Sequence, residues 1–252
     1  MYFIDVQGTL IDDDKKPIQG AIKFIKDLNE NRTPYIIVTN NTKQENFLEF
    51  LNQIGFEIPK TKYLDPLMIL DSILDSKELL AFGVHQFLGI LKNRGYKTDC
   101  KNPKTILLGV KHDYSHLDYS EIIETLLRNP QAKLVGMHGT SIYSKNNKRY
   151  VGVGAILEMI KFATGRNYQV IGKPSKIFYK KALNMLDETD FKKVTIISDD
   201  LKGDLKGAKD LGMRTILVLS GKIRNINEVL PLQKAEEPDK IEKSIKAILE
   251  YQ

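Results

Sequence analysis

The chain has 252 residues, 42% of them hydrophobic, and its 38 basic and 32 acidic residues give a net charge of +6. This composition supports a sizeable folded core and excludes a disordered or low-complexity protein. The basic residues are scattered, so we expect attraction for anionic substrates and no nucleic-acid binding. No apolar run approaches the roughly 20 residues of a membrane span, and the lone Cys100 allows no internal disulfide. We therefore expect a cytoplasmic protein without membrane segments.

Apolar runs and helical patterns alternate from the first residues onward. The run Tyr2–Ile4 ends at Asp5, apolar residues then recur at helical spacing over residues 18–28, and Tyr35–Val38 forms a second run that stops at Thr39. Short apolar runs bounded by turn residues are typical of buried strands. The beginning of the chain therefore predicts the order strand, helix, strand.

The central stretch of the chain repeats the alternation on its own. Between residues 78 and 168, apolar runs such as Leu79–Phe82 and Thr105–Leu108 alternate with helical patterns, and the stretch is long enough for a separate domain. We predict a core formed by residues 1–77 and 169–252, into which residues 78–168 are inserted as an α/β cap.

The last part of the chain resumes the core pattern. We predict core strands at 170–172, 194–197 and 215–219, and Ile241, Ile245 and Leu249 have the spacing of a C-terminal helix. Alternating strands and helices favour a parallel, doubly wound sheet. The fold class is therefore α/β, with a Rossmannoid core and an inserted α/β cap.

Four polar motifs follow predicted core strands. Ligands of open α/β sheets bind beyond the carboxyl ends of the strands, so the four motifs can meet in one site. A single Asp after a strand is more often a turn or cap residue, and the ordered set carries the argument. The motifs are D-V-Q-G-T (5–9), T-N-N-T (39–42), G-K-P (172–174) and S-D-D-L-K-G-D (198–204).

The acids of these motifs suit phosphoryl transfer, which needs an oxygen nucleophile and a metal held by hard oxygen ligands. Asp5 can attack and also bind the metal, and Asp199 can complete the metal's shell. Asp200 and Asp204 would orient metal-bound waters or Lys173 from behind.

The remaining motif residues supply counter-charge for the phosphoryl group. Thr39 offers a hydroxyl that, together with the amides of Asn40 and Asn41, can hydrogen-bond a phosphoryl oxygen. Lys173 brings a positive charge that neutralises both nucleophile and phosphate.

The four ordered motifs resemble those of the haloacid dehalogenase superfamily. The stretches T-N-N-T-K-Q-E and D-D-L-K-G-D-L-K-G-A are similar to the p-nitrophenyl phosphatase-like branch, which carries a large α/β cap between its second and third motifs. Within that branch, motif order and cap length resemble the phospholysine phosphohistidine inorganic pyrophosphate phosphatases and their domain-containing relatives. The resemblance implies a Mg²⁺-dependent phosphohydrolase that forms an aspartyl phosphate on small phosphorylated substrates. A homodimer formed through the cap is left open.

The first motif departs from the family pattern D-x-D-G-T, whose second Asp is the general acid and base. Gln7 stands there instead, and a glutamine cannot supply the roughly 10²- to 10⁴-fold that such proton transfer contributes. Its backbone carbonyl can still bind magnesium beside Asp5 and Asp199. Two interpretations stay open: an enzyme that favours good leaving groups, or a catalytically weak protein that binds phosphorylated ligands. Ser198, where the family usually has glycine, is a milder change.

Two further patterns receive simpler interpretations. A dehalogenase would use the same aspartate without a metal, and would leave the three acids after the fourth strand unexplained. The four histidines show no spacing of a standard metal site, so we expect surface or capping roles for them. His138, in M-H-G-T-S, is the one whose loop can face the core site.

Overall fold

The protein is described by a computed structural model over residues 1–145, 148–228 and 237–249. The strands within these residues are short and mostly buried, which agrees with the apolar runs of the sequence. They are β1 (Tyr2–Ile4), β2 (Tyr35–Val38), β3 (Tyr63–Leu64), β4 (Leu79–Phe82), β5 (Thr105–Leu108), β6 (Lys133–Gly136), β7 (Ile142–Lys145), β8 (Lys148–Val151), β9 (Tyr168–Val170), β10 (Thr195–Ser198), β11 (Arg214–Val218) and β12 (Lys240–Glu242).

Helices connect most of these strands, as a parallel sheet requires. In the first helix, Ala21, Phe24, Ile25 and Leu28 are buried, which is the spacing of one apolar helical face. The helices are α1 (Ala21–Glu30), α2 (Phe47–Gln53), α3 (Pro66–Ile73), α4 (His85–Asn93), α5 (His116–Arg128), α6 (Val153–Thr164), α7 (Lys176–Asn184), α8 (Lys206–Asp210) and α9 (Ile245–Leu249), with a π-helical turn at Leu201–Leu205.

The first sheet has six parallel strands in the order β12-β11-β10-β1-β2-β3. In its centre, Phe3 of β1 lies beside Ile196 of β10 and Ile36 of β2. Because these three strands are parallel and in register, their carboxyl ends meet at one edge of the sheet. The α/β class with parallel sheets and helices is confirmed.

The second sheet has four parallel strands in the order β4-β5-β6-β9, and an antiparallel hairpin of β7 and β8 accompanies it. The prediction that residues 170–172 form a strand of the core sheet was wrong, because β9 pairs with β6 of this second sheet. A continuous apolar run looks the same in either sheet, so its pattern could not decide between them. The domain bounds 1–77, 78–168 and 169–252 stay a prediction.

The C-terminal pattern was also read partly wrongly. Ile241 lies in β12, which pairs in parallel with β11, and the helix begins only at Ile245. Ile241 therefore belongs to an edge strand of the first sheet, whereas Ile245 and Leu249 belong to a helix that packs on this sheet.

One hydrophobic cluster joins the two sheets. Phe3 and Ile36 of the first sheet belong to the same buried cluster as Leu79 and Leu107 of the second sheet and Phe87 of α4. No helix within the described residues combines the length and apolarity that a membrane span requires.

Candidate active site

The sequence-predicted site residues gather at the carboxyl ends of β10, β1 and β2. They border a cavity of about 760 Å³ that residues of the second sheet's connections also line. Thr39 joins the group through a hydrogen bond to Gln7. Those that line the cavity are Asp5, Gln7, Asn40, Asn41, Lys173, Asp199, Asp200 and Asp204.

A buried cluster of opposite charges forms the floor of this cavity. The Lys173 ammonium lies 2.5 Å from Asp5 Oδ1 and 2.6 Å from Asp204 Oδ2, and all three side chains are almost fully buried. Burial lowers the pKa of Lys173, but the charges of Asp204 and Asp5 outweigh it and the net pKa is raised. The lysine is therefore held as a cation between two carboxylates.

Asp204 is hydrogen-bonded by Ser198, the residue that departs from the family pattern in the fourth motif. The Ser198 hydroxyl donates a hydrogen bond of 2.9 Å to Asp204 Oδ2, and the Asp200 amide donates to Ser198 Oγ at 3.1 Å. The serine thus adds hydrogen bonds to the cluster that a glycine could not make.

Asp199 lies in a cradle of two glycines. A Cβ on Gly8 would lie 2.2 Å from Asp199 Oδ2, and one on Gly221 would lie 1.9 Å from it, so both positions need glycine. Gly8 also has φ +76°, which favours glycine. The Lys222 amide donates to Asp199 Oδ2 at 2.6 Å, which fixes the carboxylate beside Asp5.

The second acid of the fourth motif is paired with a lysine that the sequence analysis missed. Lys222 Nζ contacts Asp200 Oδ2 at 2.5 Å, and Asp200 Oδ1 accepts from the Gly203 amide at 3.0 Å. Lys222 lies in the loop after β11 and also lines the cavity. Its position beyond a parallel strand was the available signal, but no motif singled it out.

Asn40 and Asn41 line the cavity, and Thr39 is linked to it through Gln7. The Thr39 hydroxyl donates to Gln7 Oε1 at 3.0 Å and accepts from the Asn41 amide at 3.2 Å. Asn40 accepts from the Lys173 amide at 2.9 Å and donates to the Lys173 carbonyl at 3.3 Å. The Asn40 side chain therefore aligns the lysine segment, while the Thr39 hydroxyl is fully buried and is linked to the cavity through Gln7.

The free carboxylate oxygens provide a place for a cation. Asp5 Oδ1 contacts Lys173 and Asp199 Oδ2 accepts from Lys222, whereas Asp5 Oδ2 and Asp199 Oδ1 accept no hydrogen bond from the described residues. Burial, opposed by the charge of Lys222 and reinforced by Asp5, raises the pKa of Asp199. Two adjacent carboxylates whose negative charge is not fully balanced by nearby cations suit a hard divalent ion.

This donor set is small. Within the described ranges, no three or more His, Cys, Asp or Glu side chains are grouped to hold one metal ion. A site built on Asp5 and Asp199 therefore needs the Gln7 carbonyl and waters to complete it, which is usual for Mg²⁺.

Comparison with known proteins defines the class of this fold and site. A model of the haloacid dehalogenase-like hydrolase family matches residues 2–97, and a second model of the same kind of hydrolase matches residues 170–248. Together the two matches span more than two thirds of the chain. The chain belongs to the haloacid dehalogenase-like hydrolases.

Individual relatives agree with this assignment over nearly the whole chain. The chain is 26% identical to mouse haloacid dehalogenase-like hydrolase domain-containing protein 2, over 89% of this chain and 86% of that protein. It is 24% identical to human phospholysine phosphohistidine inorganic pyrophosphate phosphatase, over 92% and 87% of the two chains. A p-nitrophenyl phosphatase from Archaeoglobus fulgidus has the same fold, with a TM-score of 0.80, 22% identity, and coverage of 100% and 98%.

Proposed function

We propose that the chain is a Mg²⁺-dependent phosphohydrolase that forms an aspartyl phosphate on Asp5 and acts on small phosphorylated compounds. The observation that supports this most is the buried contact of Lys173 with Asp5 and Asp204. A buried ammonium supplies positive charge that stabilises both the attacking carboxylate and the incoming phosphoryl group. The relatives named as phosphatases support the same chemistry.

The reaction divides into two displacements at phosphorus. First, the Asp5 carboxylate forms a bond to phosphorus while the bond to the leaving oxygen breaks. A water molecule then attacks the aspartyl phosphate, which releases phosphate and restores Asp5. In both steps Lys173 balances the charge, and the Thr39 hydroxyl turns from Gln7 to a phosphoryl oxygen.

The metal would be held by Asp5, Asp199 and the backbone carbonyl of Gln7. When bound, Mg²⁺ neutralises phosphoryl charge and helps to align the substrate. Asp200 and Asp204 would support the site from behind, through Lys222 and Lys173 respectively. A cytoplasmic location and a homodimer through the cap stay predictions.

A second function has its own supporting observation. Gln7 stands where the family has its acid, and its amide oxygen engages the Thr39 hydroxyl. A protein with glutamine in place of this acid can bind phosphorylated ligands and turn them over only weakly. We place it second, because the charged cluster around Lys173 is complete.

A screen of phosphate release separates the two functions. Acetyl phosphate, p-nitrophenyl phosphate and glycerol phosphate would be tested with Mg²⁺ and with a chelator. Release that needs Mg²⁺ supports the enzyme, whereas binding without release supports the weak binder. If neither binding nor release occurs, both are wrong.

The proposed metal ligands can be tested by calorimetry. We expect Asp199→Ala to weaken Mg²⁺ binding by at least about 10-fold, because it removes one of two carboxylate ligands. The control is Asp75→Ala, which changes an exposed acid paired with Lys133. Equal Mg²⁺ affinity in the Asp199 variant and the wild type would contradict the ligand set.

A further inference from the structure

Arg94, at the end of α4, connects segments of the chain that belong to different sheets. Its Nε and Nη2 lie 2.8 and 2.7 Å from Glu45 Oε1. Its Nη1 donates to the Leu67 carbonyl at 2.6 Å and lies 3.5 Å from Asp71 Oδ2. α4 follows β4 of the second sheet, whereas Glu45 follows β2 and the other two partners lie in α3, after β3 of the first sheet. One guanidinium therefore joins α4 to two connections of the first sheet.

Glu45 belongs to a loop that borders the cavity. The loop comprises residues 39–46, between β2 and α2, and residues 40–44 line the cavity. We call it the phosphate-binding loop, because Thr39 and the amides of Asn40 and Asn41 are the groups expected to bind a phosphoryl oxygen. Glu45 is the next residue along the chain, and neither it nor Arg94 lines the cavity. The ion pair therefore lies behind the loop.

The phosphate-binding loop has further anchors at its start and within it. The Thr39 amide donates to the Leu64 carbonyl at 3.1 Å, which ties the start of the loop to β3. Asn41 Oδ1 accepts from the Lys43 amide at 3.3 Å, and Asn41 Nδ2 donates to the Gln44 carbonyl at 2.6 Å. Asn41 thus shapes the loop from within, and the guanidinium contact fixes its far end.

The surroundings of the guanidinium distinguish this contact from an ordinary surface ion pair. Exposed pairs contribute little, partly because two free side chains must be ordered. The Arg94 side chain is only 25% exposed, and its bond to the Leu67 carbonyl already fixes the plane of the guanidinium. A planar group that is already oriented loses less conformational freedom when it also binds a carboxylate. The contact with Glu45 is therefore suited to holding the loop in one position.

We propose that Arg94 is a positioning residue that acts through Glu45 and holds the phosphate-binding loop in the conformation that binds the phosphoryl group of the substrate. The inference rests on the proposed phosphohydrolase function and deepens it. Because neither residue lines the cavity, the effect reaches the substrate through the backbone of the loop. The loop would contact the phosphoryl group before and during the reaction, so its loss of order should raise KM more than it lowers kcat.

Two substitutions test the proposal through the sign of their effects. Arg94→Met and Glu45→Gln each remove the ion pair and keep much of the side-chain length. They remove opposite charges, so charge alone would weaken the binding of an anion in the first variant and strengthen it in the second. Positioning predicts that both weaken it. We expect the Kd of inorganic phosphate, measured by calorimetry with Mg²⁺, to rise by about 3- to 30-fold in each variant.

Steady-state kinetics with p-nitrophenyl phosphate give a second measure. We expect KM to rise by a similar factor in both variants, with kcat within about 3-fold of the wild type. Tighter phosphate binding in Glu45→Gln, or a loss confined to kcat, would overturn the proposal. The Glu45 side chain is 46% exposed, so Glu45→Gln carries the test on its own where Arg94→Met does not fold.

The double variant separates action through Glu45 from the other contacts of Arg94. If the guanidinium acts through Glu45, the double variant should bind phosphate no more weakly than the weaker single variant. Losses that multiply would overturn the proposal. The control is Lys77→Met, which removes another cation that contacts Asp71, outside the loop. It should bind phosphate within about 2-fold of the wild type, and a loss equal to that of Arg94→Met would also overturn the proposal.

Hydrogen exchange separates this inference from the proposed function. The Asn41 amide donates to Thr39 Oγ1 and the Lys43 amide donates to Asn41 Oδ1, so both report on the order of the loop. We expect both amides to exchange at least about 3-fold faster in Arg94→Met and in Glu45→Gln, by NMR, with the rates in α7 unchanged. Unchanged loop rates would overturn the inference even in an active enzyme. A wild type that neither binds nor releases phosphate would contradict the proposed function, and the exchange rates would then decide the inference alone.

Discussion

Gln7 is the residue at which this chain differs most consequentially from its family pattern. Its side chain is exposed, and its amide oxygen accepts a hydrogen bond from Thr39, the hydroxyl expected to bind a phosphoryl oxygen. A bound phosphate must replace that contact. Because Gln7 has no acidic proton, the departing oxygen receives none from this position.

The missing acid predicts selection by leaving group. An alkoxide needs a proton in the transition state, whereas a carboxylate or a nitrophenolate scarcely does. We expect acetyl phosphate and p-nitrophenyl phosphate to be cleaved much faster than glycerol phosphate. Gln7→Asp should raise the glycerol phosphate rate selectively, by about 10-fold or more if part of the acid contribution returns. Steady-state kinetics on the three substrates measure this.

The matched control is Gln7→Asn, which shortens the side chain without adding an acid. Its glycerol phosphate rate should not rise. Equal wild-type rates on all three substrates, with no selective gain in Gln7→Asp, would mean that another group supplies the proton.

At the scale of elements, a buried acid with a shifted pKa caps the start of α3. Asp65 precedes Pro66 and caps the helix by accepting from the Met68 amide at 3.1 Å, and it also accepts from the Tyr63 hydroxyl at 2.9 Å. Burial outweighs these bonds and raises the pKa of Asp65 to about 6. The folded protein therefore binds this proton more tightly than the unfolded chain does.

A raised acid pKa has a defined effect on stability. The stabilisation that arises from the raised pKa of Asp65 is fully present below about pH 4 and is lost as pH rises toward the folded pKa of about 6. Asp65→Asn caps a helix without this charge. The unfolding free energy of the variant relative to wild type should rise by up to about 3 kcal/mol between about pH 4 and pH 7. Urea unfolding measures it, and a difference that is constant with pH would contradict it.

Two glycines, one inside α4 and one at the end of α6, offer a matched pair of substitutions. Gly89 lies inside α4 and a Cβ there meets nothing within 4 Å, whereas Gly165 ends α6 with φ +68°. We expect Gly89→Ala to stabilise by about 0.5 to 1 kcal/mol and Gly165→Ala to destabilise by about 1 kcal/mol. Urea unfolding of both variants measures this, and equal signs would contradict it.

The elements that the sequence predicted well have long or purely apolar patterns. The strands near Leu79–Phe82 and Thr105–Leu108 were read correctly, because buried parallel strands are continuous apolar runs. The two-residue strand β3 was missed since its pattern is too short to detect. The strand at 170–172 was given to the wrong sheet, because pairing partners are set by tertiary structure and leave no mark on a short run.

The site residues were predictable where they belong to ordered motifs. Asp5, Lys173 and Asp199 were all brought to one cavity, as the strand-end argument expected. Their catalytic roles stay predictions. Lys222 and His138 were not assigned to the site, because each lies in a loop whose approach to the cavity depends on how the elements pack.

At the scale of the whole molecule, the cavity lies where the two sheets meet. The first sheet supplies Asp5 and Asp199, and the second sheet's connections supply His138 and Thr140. The hydrogen bonds of Asn40 to the Lys173 segment and to Thr140 Oγ1, at 3.4 Å, link both sides. The cavity therefore depends on how the two sheets pack against each other.

The central claim is that Asp5 carries the phosphoryl group, and covalent trapping tests it most directly. Because Gln7 cannot act as the base for water, the aspartyl phosphate should persist long enough to be trapped. The protein would be mixed with acetyl phosphate and Mg²⁺, quenched in acid and mapped by mass spectrometry. We predict one phosphoryl group on the peptide that contains Asp5, and neither label nor phosphate release in a folded Asp5→Asn variant. A label on another residue, or wild-type turnover in Asp5→Asn, would contradict the account.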